Sequence, residues 1–191
     1  MSFCLIILAG GNSSRFRSNI GKPYQKIAGK SLIEINITKA RKFKQIKKII
    51  LVYNKKDLKR VKSLKLKNVK MIVGGKTRQQ STFNALKHLN NQKGTSRVLV
   101  HDVARPNFSE KLMSSIMRNM LNTRAVIPKI EIQDAIKQII DSSKEEYLVG
   151  KNRDNLFLTQ TPQAFNLKEI YRLHKTNSGK YKDDDISLYM D

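Results

Sequence analysis

The feature that most constrains the fold of this chain is an unbroken apolar run near its start, which ends in a long polar stretch containing glycines. Phe3–Leu8 has the continuous apolar character of a strand buried on both faces of a parallel sheet. The run is far shorter than the roughly 20 apolar residues that a membrane-spanning helix needs, and no basic residue precedes it, as a secretory leader would require. The polar stretch 9–30 is longer than an ordinary turn between a strand and a helix, and such loops in compact domains are usually functional. The sequence therefore predicts a central strand that leads into a functional loop.

Strand-like and helix-like segments alternate after this loop. Ser31 and Glu34 have the spacing of a capping box, which predicts a helix from Leu32 to about residue 42. Hydrophobic periodicity predicts further strands at 48–53, 69–73, 97–100 and 125–128, and further helices at 57–64, from 77, and at 108–121. This alternation favours an α/β fold, a Rossmann-like three-layer sandwich whose mainly parallel sheet carries helices on both faces.

The pattern changes in the last third of the chain. Two extended pieces, 134–140 and 147–149, flank a polar turn and predict a β-hairpin arm over about 134–150. A strand at 156–159, a helix at 167–174 and the opening of another helix at 184–191 are expected to follow. The acidic run Asp183–Asp185 suits the start of that last helix, because carboxylates favour the positive end of a helix dipole. With 191 residues in total, the chain is expected to form a single domain.

Charge and cysteine content limit the function classes. The chain has 38 Lys and Arg against 15 Asp and Glu, a net charge of +23, which favours anionic ligands. A dense series of Lys and Arg between residues 39 and 70 lacks interleaved aromatic side chains, so we interpret it as a solvated face rather than a nucleic-acid site. The single cysteine, Cys4, excludes an internal disulfide and fits a reducing cytoplasm. Three scattered histidines give no zinc-binding spacing.

The loop after the first strand carries the strongest chemical signal. Ligands of parallel sheets bind outside the carboxyl ends of the strands. The small residues Ala9, Gly10 and Gly11 let backbone N–H groups approach a phosphate closely. Arg15 adds a forked donor and Lys22 a point charge. The glycine spacing matches neither a Walker A loop nor a dinucleotide-binding fingerprint, so the loop is interpreted as a phosphate cradle of another kind.

Four segments of the chain, in order, resemble those of the 2-C-methyl-D-erythritol 4-phosphate cytidylyltransferases, members of the sugar-phosphate nucleotidyltransferases, and of close relatives that act on ribitol 5-phosphate. They are the loop Leu8–Phe16 with Lys22-Pro23-Tyr24-Gln25, the GGKTRQQS segment at 74–81, the VLVHDVARP segment at 98–106, and Asn152-Arg153-Asp154 with the TPQAF segment at 161–165. The resemblance implies transfer of CMP from CTP to a polyol phosphate, with release of pyrophosphate, in the non-mevalonate route to isoprenoids.

The resemblance also implies roles for residues that contact the nucleotide. Arg15 and Lys22 correspond to the family's catalytic residues, which stabilise the transition state at the triphosphate. Residues 9–11 (Ala9, Gly10 and Gly11) correspond to the ribose and triphosphate contacts. Gly75 and Ser81 correspond to the cytosine contacts. Asp102 is expected to accept hydrogen bonds from hydroxyls or to lie near the metal, a Mg²⁺ ion that is bound mainly by phosphates.

Other residues are implied to contact the second substrate. Arg105 is expected to face the polyol, and Arg153 and Thr161 to position the substrate phosphate. In the family these last contacts come from the arm region of a partner subunit, so the resemblance implies a homodimer. His101 is expected to be structural, because the reaction needs no general base, and His174 is given no role.

Two departures from the family keep alternatives open. Ala135 stands where a substrate-binding Thr is frequent. Family members also continue past the position of Asp191 through another strand, further helices and a phosphate-contacting lysine, so the chain is expected to be a shortened member that lacks these elements. The alternatives are an enzyme for ribitol 5-phosphate, a piece of a split or bifunctional protein, and an inactive remnant or basic polyanion-binding protein.

Overall fold

A computed structural model of the chain describes residues 2–11, 20–141, 146–179 and 182–190. The described residues form twelve strands: β1 Phe3–Ala9, β2 Lys26–Ile27, β3 Lys30–Ser31, β4 Ile46–Tyr53, β5 Lys70–Val73, β6 Arg97–Asp102, β7 Ala125–Val126, β8 Lys129–Glu131, β9 Ile136–Asp141, β10 Glu146–Lys151, β11 Phe157–Thr159 and β12 Gln163–Asn166. The α-helices are α1 Leu32–Ala40, α2 Leu58–Ser63, α3 Arg78–Asn90, α4 Glu110–Asn119 and α5 Leu167–Thr176. Short 3-10 turns cover Lys22–Tyr24, Lys55–Asp57 and Ile186–Tyr189.

A six-stranded sheet in the order β5-β4-β1-β6-β12-β7 forms the centre of the fold. Strands β5, β4, β1 and β6 are parallel, whereas β12 runs antiparallel to both β6 and β7. The prediction of a mainly parallel sheet is therefore confirmed. Strand β12 was not predicted, because its four residues, Gln163–Asn166, are too few to show a period and are buried through long-range contacts, namely pairing with β6 and β7 and packing of Phe165 in the core.

Strand β1 divides the hydrophobic core into two layers. Leu5 and Ile7 pack into the layer that contains α1 and α4, and Ile6 and Leu8 pack into the layer that contains α3 and α5. All seven residues of β1 are buried, as the unbroken apolar run predicted. Burying a Leu or Ile side chain contributes about 1.5–3 kcal/mol, so this strand anchors both layers and fixes where the following loop begins.

Polar caps set the starts of four helices. At α1, the Ser31 hydroxyl accepts from the Glu34 N–H and the Glu34 carboxylate accepts from the Ser31 N–H, so the predicted capping box is confirmed. Thr77, Ser109 and Asn166 cap α3, α4 and α5 in the same way with one side-chain acceptor each. Each cap contributes about 1 kcal/mol. The cap at Thr77 matters for function because it also fixes the glycine turn that precedes α3.

Besides the central sheet, the described residues form three two-stranded sheets, one of which pairs β2 with β3. Strands β9 and β10 pair antiparallel from Ile136–Lys151 to Asp141–Glu146, which confirms the predicted hairpin arm. Strands β8 and β11 form a second antiparallel pair near its base. Near the end of the described chain, the expected helix is a 3-10 turn, Ile186–Tyr189, packed by its Tyr189 ring on Phe165 at 5.7 Å. Within the described ranges, no helix has the length and apolarity required to cross a bilayer.

Candidate active site

The carboxyl ends of four parallel strands meet at one edge of the sheet. Strand register places Ala9 of β1 beside Tyr53 of β4, Tyr53 beside Val73 of β5, and Leu8 beside Asp102 of β6. This is the edge at which parallel sheets bind ligands. The predicted phosphate cradle, the glycine pair at 74–75 and the HDVARP segment therefore follow strands that end together.

Backbone and amide hydrogen bonds hold the loops at this edge against one another. The Gly74 N–H donates to the Tyr53 carbonyl at 2.8 Å, and the Val103 N–H donates to the Leu8 carbonyl at 3.1 Å. The Asn54 side-chain amide donates to the Gly10 carbonyl at 3.2 Å. Contacts within the protein thus fix the described loops of the site relative to one another, which is the preorganisation that electrostatic catalysis requires.

These loops enclose an open cavity of about 1170 Å³. That volume exceeds the usual range for a small-molecule site, roughly 300–1,000 Å³, so the cavity is large enough for more than one small ligand. The described lining residues that the sequence had singled out are Ala9, Gly10, Gly11, Lys22, Gly75, Ser81, Asp102 and Arg105. The structure therefore brings eight of the eleven predicted site residues to one place.

Cations dominate the described wall of the cavity. Besides Lys22 and Arg105, it contains Lys55, Lys56 and Lys76, which sequence reasoning had not singled out. The basic density around residue 55 was visible in the sequence, but only the pairing of β4 with β1 shows that it borders the cavity. Asp102 is the one carboxylate among the described lining residues. The site is therefore suited to a polyphosphate anion.

The three remaining predicted residues lie elsewhere. Arg15 falls outside the described residues. Arg153 lines a separate cavity of about 350 Å³ at the base of the hairpin arm and donates to the Gln133 carbonyl. Thr161 is buried, and its hydroxyl is engaged within the protein, as described below. The predicted substrate roles of Arg153 and Thr161 stay predictions.

The glycine pair before α3 is held by side chains of the helix. The Ser81 hydroxyl accepts from the Gly75 N–H at 3.0 Å and donates to the Thr77 carbonyl at 2.9 Å. A Cβ atom on Gly75 would lie 2.3 Å from Cγ of Gln80. Glycine is thus required at position 75 by packing inside the turn, and Ser81 shapes the cavity wall through the backbone.

A network of hydrogen bonds between buried polar side chains ends at the backbone of Asp102. The Asn36 amide group donates to the Leu32 and Val103 carbonyls, which leaves its oxygen to accept from Nε2 of His101 at 2.9 Å. Nδ1 of His101 is then the acceptor for the Thr161 hydroxyl at 3.0 Å. The Thr161 oxygen in turn accepts from the Asp102 N–H at 3.2 Å. Every member has a partner, so the network fixes the backbone of Asp102.

Burial controls the charge of this histidine. Removal from water lowers the pKa of His101 to about 4, and the nearby Asp102 carboxylate offsets only part of that effect. Packed edge-on against Phe108 at 5.0 Å, the ring is neutral near pH 7. These contacts agree with the expected structural role of His101.

The carboxylate of Asp102 lies between two guanidinium groups. Nε of Arg78 donates to Oδ1 at 3.2 Å, and Nε of Arg105 lies 3.5 Å from Oδ2. Arg105 also donates to the Gln160 side chain. Asp102 is only partly buried, so these contacts orient its carboxylate at the cavity wall.

The acidic run near residue 184 has a different role from the one expected. Asp184 accepts from the N–H and hydroxyl of Ser187 and so caps the 3-10 turn. Asp185 is buried and accepts from Nη1 of Arg78 at 2.7 Å and from Nε2 of His174 at 3.0 Å. Burial acts to raise the pKa of Asp185, but the Arg78 charge and the His174 hydrogen bond hold it below its ordinary value. The expectation of a simple dipole effect was wrong for Asp185, and His174, for which no role was predicted, is a partner of its carboxylate.

Metal-binding capacity among the described residues is small. No group of three or more His, Cys, Asp or Glu side chains in this part of the chain has the spacing of a metal site. A carboxylate has about four acceptor positions, so Asp102 retains capacity for about two further contacts besides those with its two arginines. The residues present suit a cation held mainly by ligand phosphates, with Asp102 as the single protein carboxylate.

Comparisons with known proteins identify the family of this chain. The family model described as "IspD: 2-C-methyl-D-erythritol 4-phosphate cytidylyltransferase" matches residues 3–190. The chain is 44% identical over 184 residues to the bifunctional enzyme IspD/IspF of Pelagibacter ubique, covering 96% of this chain and 48% of that protein. It is 30% identical over 195 residues to the 2-C-methyl-D-erythritol 4-phosphate cytidylyltransferase of Halalkalibacterium halodurans, covering 98% and 83%.

A solved structure gives the same result. The 4-diphosphocytidyl-2C-methyl-D-erythritol synthase of Anaerococcus prevotii superposes with a TM-score of 0.81 at 32% identity, covering 99% of this chain and 81% of that one. The chain thus spans about half the length of the bifunctional Pelagibacter relative and most of the length of the other two.

Proposed function

Because the chain belongs to the family of 2-C-methyl-D-erythritol 4-phosphate cytidylyltransferases, we propose that it transfers CMP from CTP to 2-C-methyl-D-erythritol 4-phosphate. The products are 4-diphosphocytidyl-2-C-methyl-D-erythritol and pyrophosphate, in the non-mevalonate route to isoprenoids. The observation that carries the proposal is the convergence of eight predicted nucleotide and substrate residues on one cation-lined cavity.

The reaction is a displacement at phosphorus. An oxygen of the polyol's phosphate forms a bond to the α-phosphorus of CTP, and the bond from that phosphorus to the bridging oxygen of the β-phosphate breaks. The bonding electrons leave with pyrophosphate. No protein nucleophile is needed, so catalysis depends on positioning and on neutralising the charge that moves onto the leaving group.

The cavity offers groups for both tasks. We assign Ala9, Gly10 and Gly11 to the ribose and triphosphate, and the turn at Gly75 and Ser81 to the cytosine. Arg15 and Lys22 are the proposed stabilisers of the transition state. Lysines 55, 56 and 76 add positive potential around the cavity, which attracts an anionic nucleotide and steers its approach.

A divalent cation is part of the proposal. Mg²⁺ prefers oxygen ligands and keeps several waters, so CTP phosphates and one oxygen of Asp102 would hold it. When bound, it would neutralise phosphate charge. The protein's own contribution is to keep Asp102 oriented between Arg78 and Arg105, and Arg105 is also assigned to the polyol.

We also propose that the enzyme is a homodimer in which the hairpin arm of one subunit completes the site of the other. Ile139 and Val149 in the arm are exposed, and so are Ile130 and Leu158 in the small sheet at its base. Such exposed apolar side chains suit burial against a second copy. In this arrangement Arg153 of one subunit would bind the polyol phosphate in the active site of the other subunit.

A cytoplasmic location is proposed from the single cysteine and the need for CTP.

The direct test is pyrophosphate release from CTP and Mg²⁺ with either 2-C-methyl-D-erythritol 4-phosphate or ribitol 5-phosphate. We expect turnover with the first polyol to exceed that with the second by about 100-fold or more in kcat/KM, since sites built for particular hydroxyls discriminate strongly. Absence of turnover with either polyol refutes the proposal. Preference for ribitol 5-phosphate reassigns the substrate.

A variant pair tests the cations. Lys22→Met should lower kcat by about 10²–10³-fold, by analogy with removal of one transition-state donor. Lys26→Met is the matched control, because Lys26 is exposed and does not belong to the described cavity wall. Equal losses in the two variants would show that general positive charge, rather than Lys22 itself, supports the reaction. Arg15→Met should behave like Lys22→Met.

A further inference from the structure

The Arg78 side chain, which lies in the cavity wall, uses two of its three nitrogens to bind two different carboxylates. Arg78 of α3 uses Nε for Asp102 and Nη1 for the buried Asp185. Its Nη2 is buried and has no acceptor among the described residues. The guanidinium therefore spans two carboxylates, one at the cavity and one in the interior.

The planar guanidinium group explains why this division matters. Nε and Nη2 lie on the same edge of the plane, and this edge forms a bidentate pair with a single carboxylate in the strongest arginine contacts. Asp102 receives one hydrogen bond from that edge instead of two. The unused Nη2 is thus the donor that would complete a bidentate pair with Asp102 if Arg78 moved toward it.

Asp185 supplies the competing attraction. Its Oδ2 takes the Arg78 bond at 2.7 Å, which is shorter than the bond of 3.2 Å to Asp102. Its Oδ1 accepts from His174, whose ring stacks on Phe83 of α3 at 6.1 Å. Both oxygens are therefore occupied, and the carboxylate is anchored in a fixed orientation.

We propose that Asp185, held by His174, is a positioning residue that acts through Arg78 and keeps the Asp102 carboxylate available to the substrates. The inference rests on the proposed function. Without the negative charge of Asp185, the buried Arg78 is left with Asp102 as its partner and closes its bidentate contact there. That contact takes up acceptor positions on Asp102 that would otherwise serve a substrate hydroxyl or phosphate-bound Mg²⁺. Asp185 itself touches neither substrate.

The test is a double-mutant cycle on kcat/KM with Asp185→Asn and Asp102→Asn. Asp185→Asn alone should lower kcat/KM by about tenfold or more, whereas in the Asp102→Asn background the same change should cost about threefold or less, because residues acting through one another are non-additive. Glu110→Gln is the matched control, since it removes an exposed carboxylate that pairs with Lys42 and does not belong to the described cavity wall, and should leave kcat/KM unchanged. Equal fold losses in both backgrounds overturn the inference.

A second readout is independent of turnover. The Nε–H proton of Arg78, followed by NMR on the full chain, should exchange with water about tenfold more slowly or shift clearly in Asp185→Asn, where the contact with Asp102 becomes bidentate, but not in Glu110→Gln. An unchanged Nε–H signal overturns the inference. If wild-type protein shows no turnover, the proposed function fails, while this signal still decides whether Asp185 positions Arg78.

A second variant pair applies if Asp185→Asn does not fold. His174→Leu removes the donor to Oδ1 of Asp185, and His174→Gln retains an amide donor. We expect about a threefold or larger loss of kcat/KM in the leucine variant and restoration to within about twofold by glutamine. Equal activity of the two variants overturns the inference.

Discussion

Protonation of His101 should destabilise the protein as the pH falls below neutrality. In the fold, Nε2 donates to Asn36 and Nδ1 accepts from Thr161, so the neutral ring satisfies both partners. A second proton on Nδ1 would face the Thr161 oxygen and displace the hydroxyl hydrogen that now points to the ring. The ring is also fully buried, which disfavours the charged form.

The size of the effect follows from linkage. The pKa of His101 is about 4 in the folded protein against 6.5 for an ordinary histidine. Because the folded pKa is the lower one, the stabilising contribution is complete above about pH 6.5 and is lost as the pH falls toward 4. At 1.36 kcal/mol per pKa unit, the full loss is about 3 kcal/mol, of which about 2 kcal/mol has gone by pH 5.

Urea unfolding at about pH 7.5 and about pH 5 measures this loss. The glutamine in His101→Gln cannot titrate, so this variant should be less stable than wild type at the higher pH. The difference between their free energies of unfolding should narrow by about 2 kcal/mol at the lower pH. The narrowing corresponds to about 4–8 °C in melting temperature. His88→Gln removes a less buried histidine and should show a much smaller narrowing. An equal gap between His101→Gln and wild type at both pH values would refute the assigned protonation state.

Three further outcomes follow from packing and burial. Gly75→Ala should lower stability by about 1–3 kcal/mol, measured by unfolding without nucleotide, because the new methyl group overlaps Gln80. The Cβ atom added by Gly11→Ala would meet no atom of the described residues within 4 Å, so this variant should melt like wild type. Burial raises the pKa of Cys4 to about 12, so a thiol reagent near pH 8 should label it only after denaturant is added, and labelling of native protein would show that β1 opens. Glu110→Ala removes an exposed ion pair and a carboxylate in the first turn of α4, each of which contributes little, so it should lower the melting temperature only slightly.

Local patterns in the sequence were sufficient for the central elements. The interactions that form the strand at Phe3–Leu8 and the capping box at Ser31 depend on residues that lie within a few positions of one another. Both features were found as predicted. Strand β12 shows the opposite case. Its burial comes from long-range contacts such as pairing with β6, some 60 positions earlier, as the Gln163–Val100 register shows, and a window of four residues contains no trace of that partner.

The same difference between local and long-range contacts separates the site residues that were predicted from those that were missed. The segments around Gly10, Gly75 and Asp102 were found because each follows a strand whose end is visible in the sequence. Arg78 and Asp185 were missed as a pair because they are 107 positions apart. An acidic run before a short helical turn looks the same whether it faces water or a buried guanidinium. Only the packing of the 186–189 turn and α5 against α3 distinguishes the two.

The contacts that were not predicted hold Asp102 both at its backbone and at its side chain. Thr161 holds the Asp102 backbone through its N–H, while Arg78 and Arg105 hold its carboxylate. Because Asp102 is held at both its backbone and its carboxylate, the carboxylate cannot turn toward whichever cation enters the cavity. Little reorganisation is therefore needed when charge develops there. Sequence motifs identify the residue that a substrate would meet, whereas the residues that restrain it come from the segment between β11 and β12, from α3 and from the turn after β6. Variants that loosen these restraints, such as Thr161→Val, should therefore reduce turnover of CTP more than they reduce its binding, and equal reductions in kcat and affinity would contradict this account.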